Sequence, residues 1–296
     1  MSFESKGLSQ LKQENIPRLL VEFRNQSLNL GSRTHLMGIL NVTPDSFSDG
    51  GRFFKLEEAI SQGMRLAGEG ADIIDIGGES TRPGSEPVSL EEELRRVIPV
   101  IQELAKRIDT PISIDTYKSR VAKEALDSGA SMVNDISALR FDPEMIKILA
   151  EYKAPVVLMH IKGTPKNMQD NPQYQNVVEE IKTHLEDSIK MAKEAGIDEN
   201  KIIVDPGIGF GKTLEDNLKI LKNLKEFASM GRPILIGVSR KSFIGKIFDL
   251  PAEQRLEGSL VALAVSITSG ANILRVHDVK ESKRVARLVD SILRQD

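Results

Sequence analysis

Short apolar runs recur along this chain at 36–41, 73–77, 112–115, 132–136, 156–160, 202–205, 234–238 and 273–277. Nearly every run ends on a polar side chain and passes at once into turn-forming residues, the pattern of a buried parallel strand handing its tip to a loop. Between the runs lie segments with apolar residues at three-to-four spacing, at 90–108, 121–126, 177–195 and 214–227, and 279–293 reads as a closing helix. Eight such units predict a single-domain (β/α)8 TIM barrel. A doubly wound open sheet is the runner-up, but no G-x-G-x-x-G turn follows the first strand. Residues 1–33 are polar and weakly periodic and read as a short N-terminal extension with one strand at 19–23, leaving 34–296 as the barrel.

In a barrel the chemistry sits where strands end, at the carboxyl-terminal face. The tips are Asn41, Asp75, Asp115, Asn134 with Asp135, His160, Asp205, Ser239 with Arg240 and Lys241, and Arg275 with His277. One such residue commonly caps a helix or holds a loop. A full ring of them describes a site for a polar ligand.

The segment 205–213 (DPGIGFGKT) ends like a Walker loop, but Pro206 stands where that motif needs its first glycine. It is instead a glycine-rich turn that lets backbone approach a ligand, with Phe210 as a lid or stacking face. Lys241 and Ser242 follow the seventh strand, where this fold gathers anions. Arg275 and His277 are two apart on one strand and therefore share a face, which suits a phosphate-rich group. In the loop 77–84, Arg82 is placed to close over substrate, and Glu79 reads as a loop anchor. The four histidines are dispersed, so the one metal role open is a hard cation held loosely by Asn41 and a substrate phosphate.

Composition narrows the class. A net charge of -3, with 28% charged and 40% hydrophobic residues, fits a soluble globular protein and offers no basic face for nucleic acid. The chain has no cysteine, which excludes disulfides and thiolate metal sites. Neither a signal-peptide core nor a membrane-spanning apolar run is present, and the expected location is the cytoplasm.

Five segments occur in one order: 41–51 (NVTPDSFSDGG), 78–84 (GESTRPG), 205–212 (DPGIGFGK), 239–243 (SRKSF) and 275–278 (RVHD). In this the chain closely resembles the dihydropteroate synthases, pterin-binding enzymes, from about Leu36 to the C-terminus. It departs from their pattern after His160, where Ile161 and Lys162 stand in place of the more usual Met-Gln. The resemblance implies that 4-aminobenzoate is joined to (7,8-dihydropterin-6-yl)methyl diphosphate by an SN1-like substitution, giving 7,8-dihydropteroate and diphosphate. It implies catalytic roles for Asp49, Arg82, Asp115 and Lys241, and a pterin site of Asp115, Asn134, Met159, Asp205, Phe210 and Lys241. Diphosphate falls to Asn41, Thr81, Arg275 and His277, with Mg2+ held by Asn41. Aminobenzoate falls to Phe47, Arg82, Pro83, Phe210, Lys241 and Ser242, where sulfonamides should compete. It also implies a homodimer through the outer helices. A methyltetrahydrofolate–corrinoid type methyltransferase is the alternative: it shares barrel and pterin site, but has no need of Arg82, Ser242 and the Arg275/His277 pair together.

Overall fold

Period-two alternation within each short strand sends one set of side chains outward and the other into a closed interior. The computed structural model describes residues 19–24, 26–43 and 52–293, with 52–55 given by backbone alone. A small antiparallel hairpin, β1 (Leu20–Glu22) and β2 (Ser27–Asn29), comes first. Eight parallel strands follow: β3 (His35–Asn41), β4 (Ile73–Gly77), β5 (Ile112–Asp115), β6 (Met132–Asp135), β7 (Val156–Met159), β8 (Ile202–Asp205), β9 (Leu235–Ile236) and β10 (Ile273–Val276). They pair in the order β8-β7-β6-β5-β4-β3-β10-β9. A parallel bridge between Val204 and Ile234, with Val204 N donating to Pro233 O at 2.9 Å, joins the two ends of that order and closes the barrel.

The helices are α1 (Arg52–Glu69), α2 (Leu90–Leu104), α3 (Ser119–Asp127), α4 (Met145–Tyr152), α5 (Val177–Glu194), α6 (Leu214–Lys222), α7 (Ser242–Phe248), α8 (Leu256–Thr268) and α9 (Val279–Leu293). Their apolar stripes cover the outward strand residues, among them Leu36, Leu40, Ile74, Ile76, Val204 and Leu274. The periodicity at 214–227 predicts one helix, but the structure breaks it: Asn223 turns its side-chain amide onto Lys219 O at 2.8 Å, and a 3-10 turn (Leu224–Met230) follows. An asparagine that satisfies a helix carbonyl with its own amide competes with the next helical turn.

Inside the barrel the lowest layer is apolar: Met37, Ile73, Met132, Val157, Ile203, Leu235 and Ile273. Val21 and Phe23 on and beside β1, and Leu30 after β2, pack into that layer and close the amino-terminal end of the barrel. The predicted single strand at 19–23 is therefore half of a hairpin. With the bottom plugged by hydrocarbon, the opposite end is left to hold polar groups. No helix among the described residues is long and apolar enough to cross a membrane.

Leu30 is 1% exposed, so Leu30→Ala should cost about 2–4 kcal/mol in urea unfolding, the usual range for a buried leucine. A loss below about 0.5 kcal/mol would make the hairpin an appendage and not part of the core.

Candidate active site

One layer above the apolar plug, the inward positions turn polar. Arg275 of β10 donates from Nε to Asp75 Oδ2 and from Nη2 to Asp115 Oδ2, each at 2.6 Å. Asn134 of β6 donates to the same Asp75 oxygen at 3.0 Å. Four strands are thus joined by one network inside the barrel. Asp75 is wholly buried, and its Oδ1 and the nearby Ser113 Oγ make no hydrogen bond. Burial pushes the Asp115 carboxyl up to about 7 against the opposing pull of Arg275, with the Asp75 charge adding to the rise.

Across the mouth, Asp205 ends β8 and accepts Gly207 N at 2.7 Å. Burial raises its carboxyl to about 6, and that backbone bond only partly offsets the rise. Gly207 has φ +72°, and a Cβ there would meet His160 O at 1.9 Å, so this turn requires glycine. The loop next places the Phe210 ring 4.0 Å from Lys241 Nζ. Burial, with the Arg275 charge adding to it, lowers the Lys241 amine to about 8. Ile136, Met159, Ile161, Met168 and Phe210 form one apolar cluster along this side. The mouth thus brings an apolar cluster together with carboxylates, an amide and cations.

Lys212 underlies the mouth. It is 1% exposed, yet its Nζ reaches Phe210 O at 2.8 Å, His160 Nδ1 at 3.0 Å and His160 O at 3.4 Å. An ammonium donating to Nδ1 leaves the imidazole proton on Nε2. His160 therefore braces the glycine turn from below, and burial holds it neutral. Burial also lowers the Lys212 amine, to about 7.

A family model described as "Pterin binding enzyme" matches residues 37–277. The dihydropteroate synthase of Clostridium beijerinckii is 47% identical over 92% of this chain and 98% of its own length. Among solved structures, a Xanthomonas albilineans dihydropteroate synthase with 4-aminobenzoic acid superposes with TM-score 0.89 at 43% identity, covering 95% of this chain and all of that one. A Yersinia pestis dihydropteroate synthase with a sulfonamide drug complex gives TM-score 0.88 at 43% identity, covering 93% of this chain and 100% of that one.

The chain belongs to the dihydropteroate synthase family. It is accordingly a transferase, and the (β/α)8 barrel foreseen from the strand rhythm is the family's architecture.

The structure brings most of the candidate synthase residues to one mouth. Asp115, Asn134, Met159, Asp205, Phe210, Lys241 and Arg275 line it. His277 follows β10 with its Nδ1 3.1 Å from Ser239 Oγ, and burial beside Arg275 lowers its imidazole to about 4. His277 is thus a neutral hydrogen-bonding group and not a second cation. Arg275 is turned inward onto two carboxylates, so its charge is already shared before any anion arrives.

Asn41 ends β3 beside Asp115, the two flanking Gly77, and its side chain makes no hydrogen bond among the described residues. On the loop after β4, Thr81 is half-buried while Arg82 and Pro83 are exposed. Gly84 N ties that loop to Pro165 O at 2.9 Å. Glu79 anchors its base, accepting Val88 N at 3.1 Å, Tyr117 Oη at 2.8 Å and Lys118 Nζ. Ser242 is exposed at the start of α7. Phe47 and Asp49 lie outside the described residues.

Asp135, a strand-tip candidate, and Lys162, where the chain departs from the family pattern, turn out to be braces. Asp135 is taken up by Ser137 and Leu139 N, and Lys162 lies over the Tyr174 ring and bonds Gln173 O. Asp75 was visible as a strand-tip acid, but its place at the hub was not. Lys212 was visible only as the tail of a failed Walker match, and a lone lysine after glycines carries no signal of burial.

Above pH 6 the fold holds Asp205 ionised against its burial, so the sign of its linkage is destabilising. The penalty is absent below the ordinary carboxyl range and complete above about 6. Asp205→Asn should therefore unfold at a higher temperature than wild type at pH 7.5, with the gap narrowing markedly at pH 4.5. The gain is at most about 3 kcal/mol. Equal midpoints at both pH values would mean Asp205 is not held at a cost.

Proposed function

We propose that this barrel mouth joins 4-aminobenzoate to (7,8-dihydropterin-6-yl)methyl diphosphate, releasing diphosphate. The observation that carries the reading is the set of strand-tip groups at the mouth: buried Asp115, Asn134 and Asp205, with Lys241 against the Phe210 ring. A pterin presents a guanidine-like donor edge, and carboxylates take such an edge as they take arginine. Burial has raised both acids, so a donor edge supplies what their charged forms lack. Lys241 donates to the pterin carbonyl, and Met159 and Phe210 cover the ring faces. The ligands named for the Xanthomonas and Yersinia relatives, an aminobenzoic acid and a sulfonamide, support the second substrate and its competitor.

The aniline is a weak nucleophile and the pterin ring delocalises positive charge, so the C–O bond to diphosphate breaks before the C–N bond forms. Asp115 and Asp205 stabilise the cation that develops. Arg275 and His277, with Asn41 and Thr81, receive the departing diphosphate. The Asn41 side chain, which makes no hydrogen bond among the described residues and lies beside Asp115, offers an amide oxygen to a hard cation, so Asn41 would hold Mg2+, which would supply charge neutralisation. Among the described residues no cluster of three or more acidic or histidine side chains offers a fuller cage. Aminobenzoate stacks between Phe210, the stem of Lys241 and Pro83, with its carboxylate at Ser242. Arg82 and Asp49 close the mouth against water, which would otherwise capture the cation.

The reading extends to assembly. Phe248 of α7, Val261 and Val265 of α8, and Leu288 and Ile292 of α9 are 43–65% exposed, an apolar face suited to a second copy of the chain.

Diphosphate release should require 4-aminobenzoate, yield dihydropteroate and fall with a sulfonamide. Tight pterin binding without product would favour the methyltransferase alternative. Arg82→Ala should cut turnover at least about tenfold while pterin diphosphate still binds, because closure acts on the transition state; unchanged turnover removes Arg82 from the mechanism. Val261→Asp should convert a sedimenting dimer to monomer, and a monomeric wild type would end the dimer reading.

A further inference from the structure

Arg240 stands in a conformation that its residue type resists. Its φ is +56°, at the third position of the turn that Lys241 N closes onto Val238 O at 3.2 Å. Such a turn favours glycine there. The arginine is nevertheless held on every side. Its N donates to Ser259 Oγ at 2.8 Å, and its carbonyl accepts Arg255 Nη1 at 3.1 Å. Its guanidinium grips Asp278 in a two-point fork, Nε to Oδ2 at 2.9 Å and Nη2 to Oδ1 at 2.5 Å. A parallel tie runs beside it, since His277 N donates to Ser239 Oγ at 3.2 Å.

These two ties connect the turn after β9 to the turn after β10. The first turn carries Lys241, and the second carries His277, two residues beyond Arg275. We infer that the Arg240–Asp278 pair is a positioning clamp that fixes the distance between the group reading the pterin and the groups receiving its diphosphate. The inference rests on the proposed function for the identity of those two groups. A single linked substrate must meet both groups at once, so their separation sets the advantage of linkage over two independent ligands. A planar fork resists rotation, which a lysine at the same place would not. That is a reason for arginine at a glycine position.

The test measures three affinities by calorimetry: pterin diphosphate, 6-hydroxymethylpterin and inorganic diphosphate. The proteins are wild type, Arg240→Gly, Asp278→Asn and the double variant. Arg240→Gly relieves the backbone, so a purely conformational role would leave it as good as wild type or better. The clamp predicts that each single variant binds the linked pterin diphosphate about tenfold more weakly, that the two separate ligands change less than about twofold, and that the double variant is no worse than either single. Equal weakening of all three ligands would make the pair ordinary scaffold and overturn the inference. So would full affinity in Arg240→Gly, or losses that multiply in the double variant. If a single variant fails to fold, Arg240→Lys keeps the charge without the fork and must show the same selective loss. A wild type that binds none of the three ligands would defeat the proposed function itself, a result distinct from any of these.

Discussion

Arg275 turns into the barrel with its Nε on one carboxylate and its Nη2 on another, and the rest of the mouth is arranged around that triad. Burying three charges is expensive, and their attraction repays the cost only where geometry is close and each charge is hydrogen-bonded. Here the bonds are short and Asn134 adds a further donor to Asp75, so removing one member would strand the others in a dry interior. The closed barrel makes this possible, because strands β4, β5, β6 and β10 all aim inward at the same height. The apolar plug below, completed by Val21, Phe23 and Leu30, keeps water from reaching the triad from the amino-terminal end.

The same burial leaves the mouth under electrostatic tension. Asp115 and Asp205 are pushed toward their neutral forms, as are Lys212 and Lys241. Groups held away from their ordinary protonation cluster at functional sites. A planar, donor-rich ring lying across the two acids and beneath Lys241 would give each an opposite partner.

The loops divide into anchored and presented parts. Glu79, Lys118 and buried Glu93 form a knot under the β4 loop, and Lys212 with His160 forms another under the β8 loop. Above these knots, Arg82 and Pro83 stand exposed and Phe210 faces the mouth. A fixed base with a projecting tip suits a site that must admit two substrates in turn and then exclude water.

The sequence by itself determined the architecture and most of the walls. Strand period, tip chemistry and five ordered motifs are local, and local patterns are what a linear reading can resolve. Asn134, Asp205, Phe210 and Lys241 were legible because each lies at the carboxyl end of a strand or in the loop that follows. Tertiary structure alone decided which charges meet. The inward turn of Arg275 onto Asp75 and Asp115, 200 and 160 residues away, depends on barrel register. So does the burial of Lys212, which reads in sequence as one more surface lysine. The grip of Arg240 on Asp278 joins two turns 38 residues apart. Such pairings arise only once the sheet sets β10 between β3 and β9 and closes β9 onto β8. No periodicity in the chain encodes them.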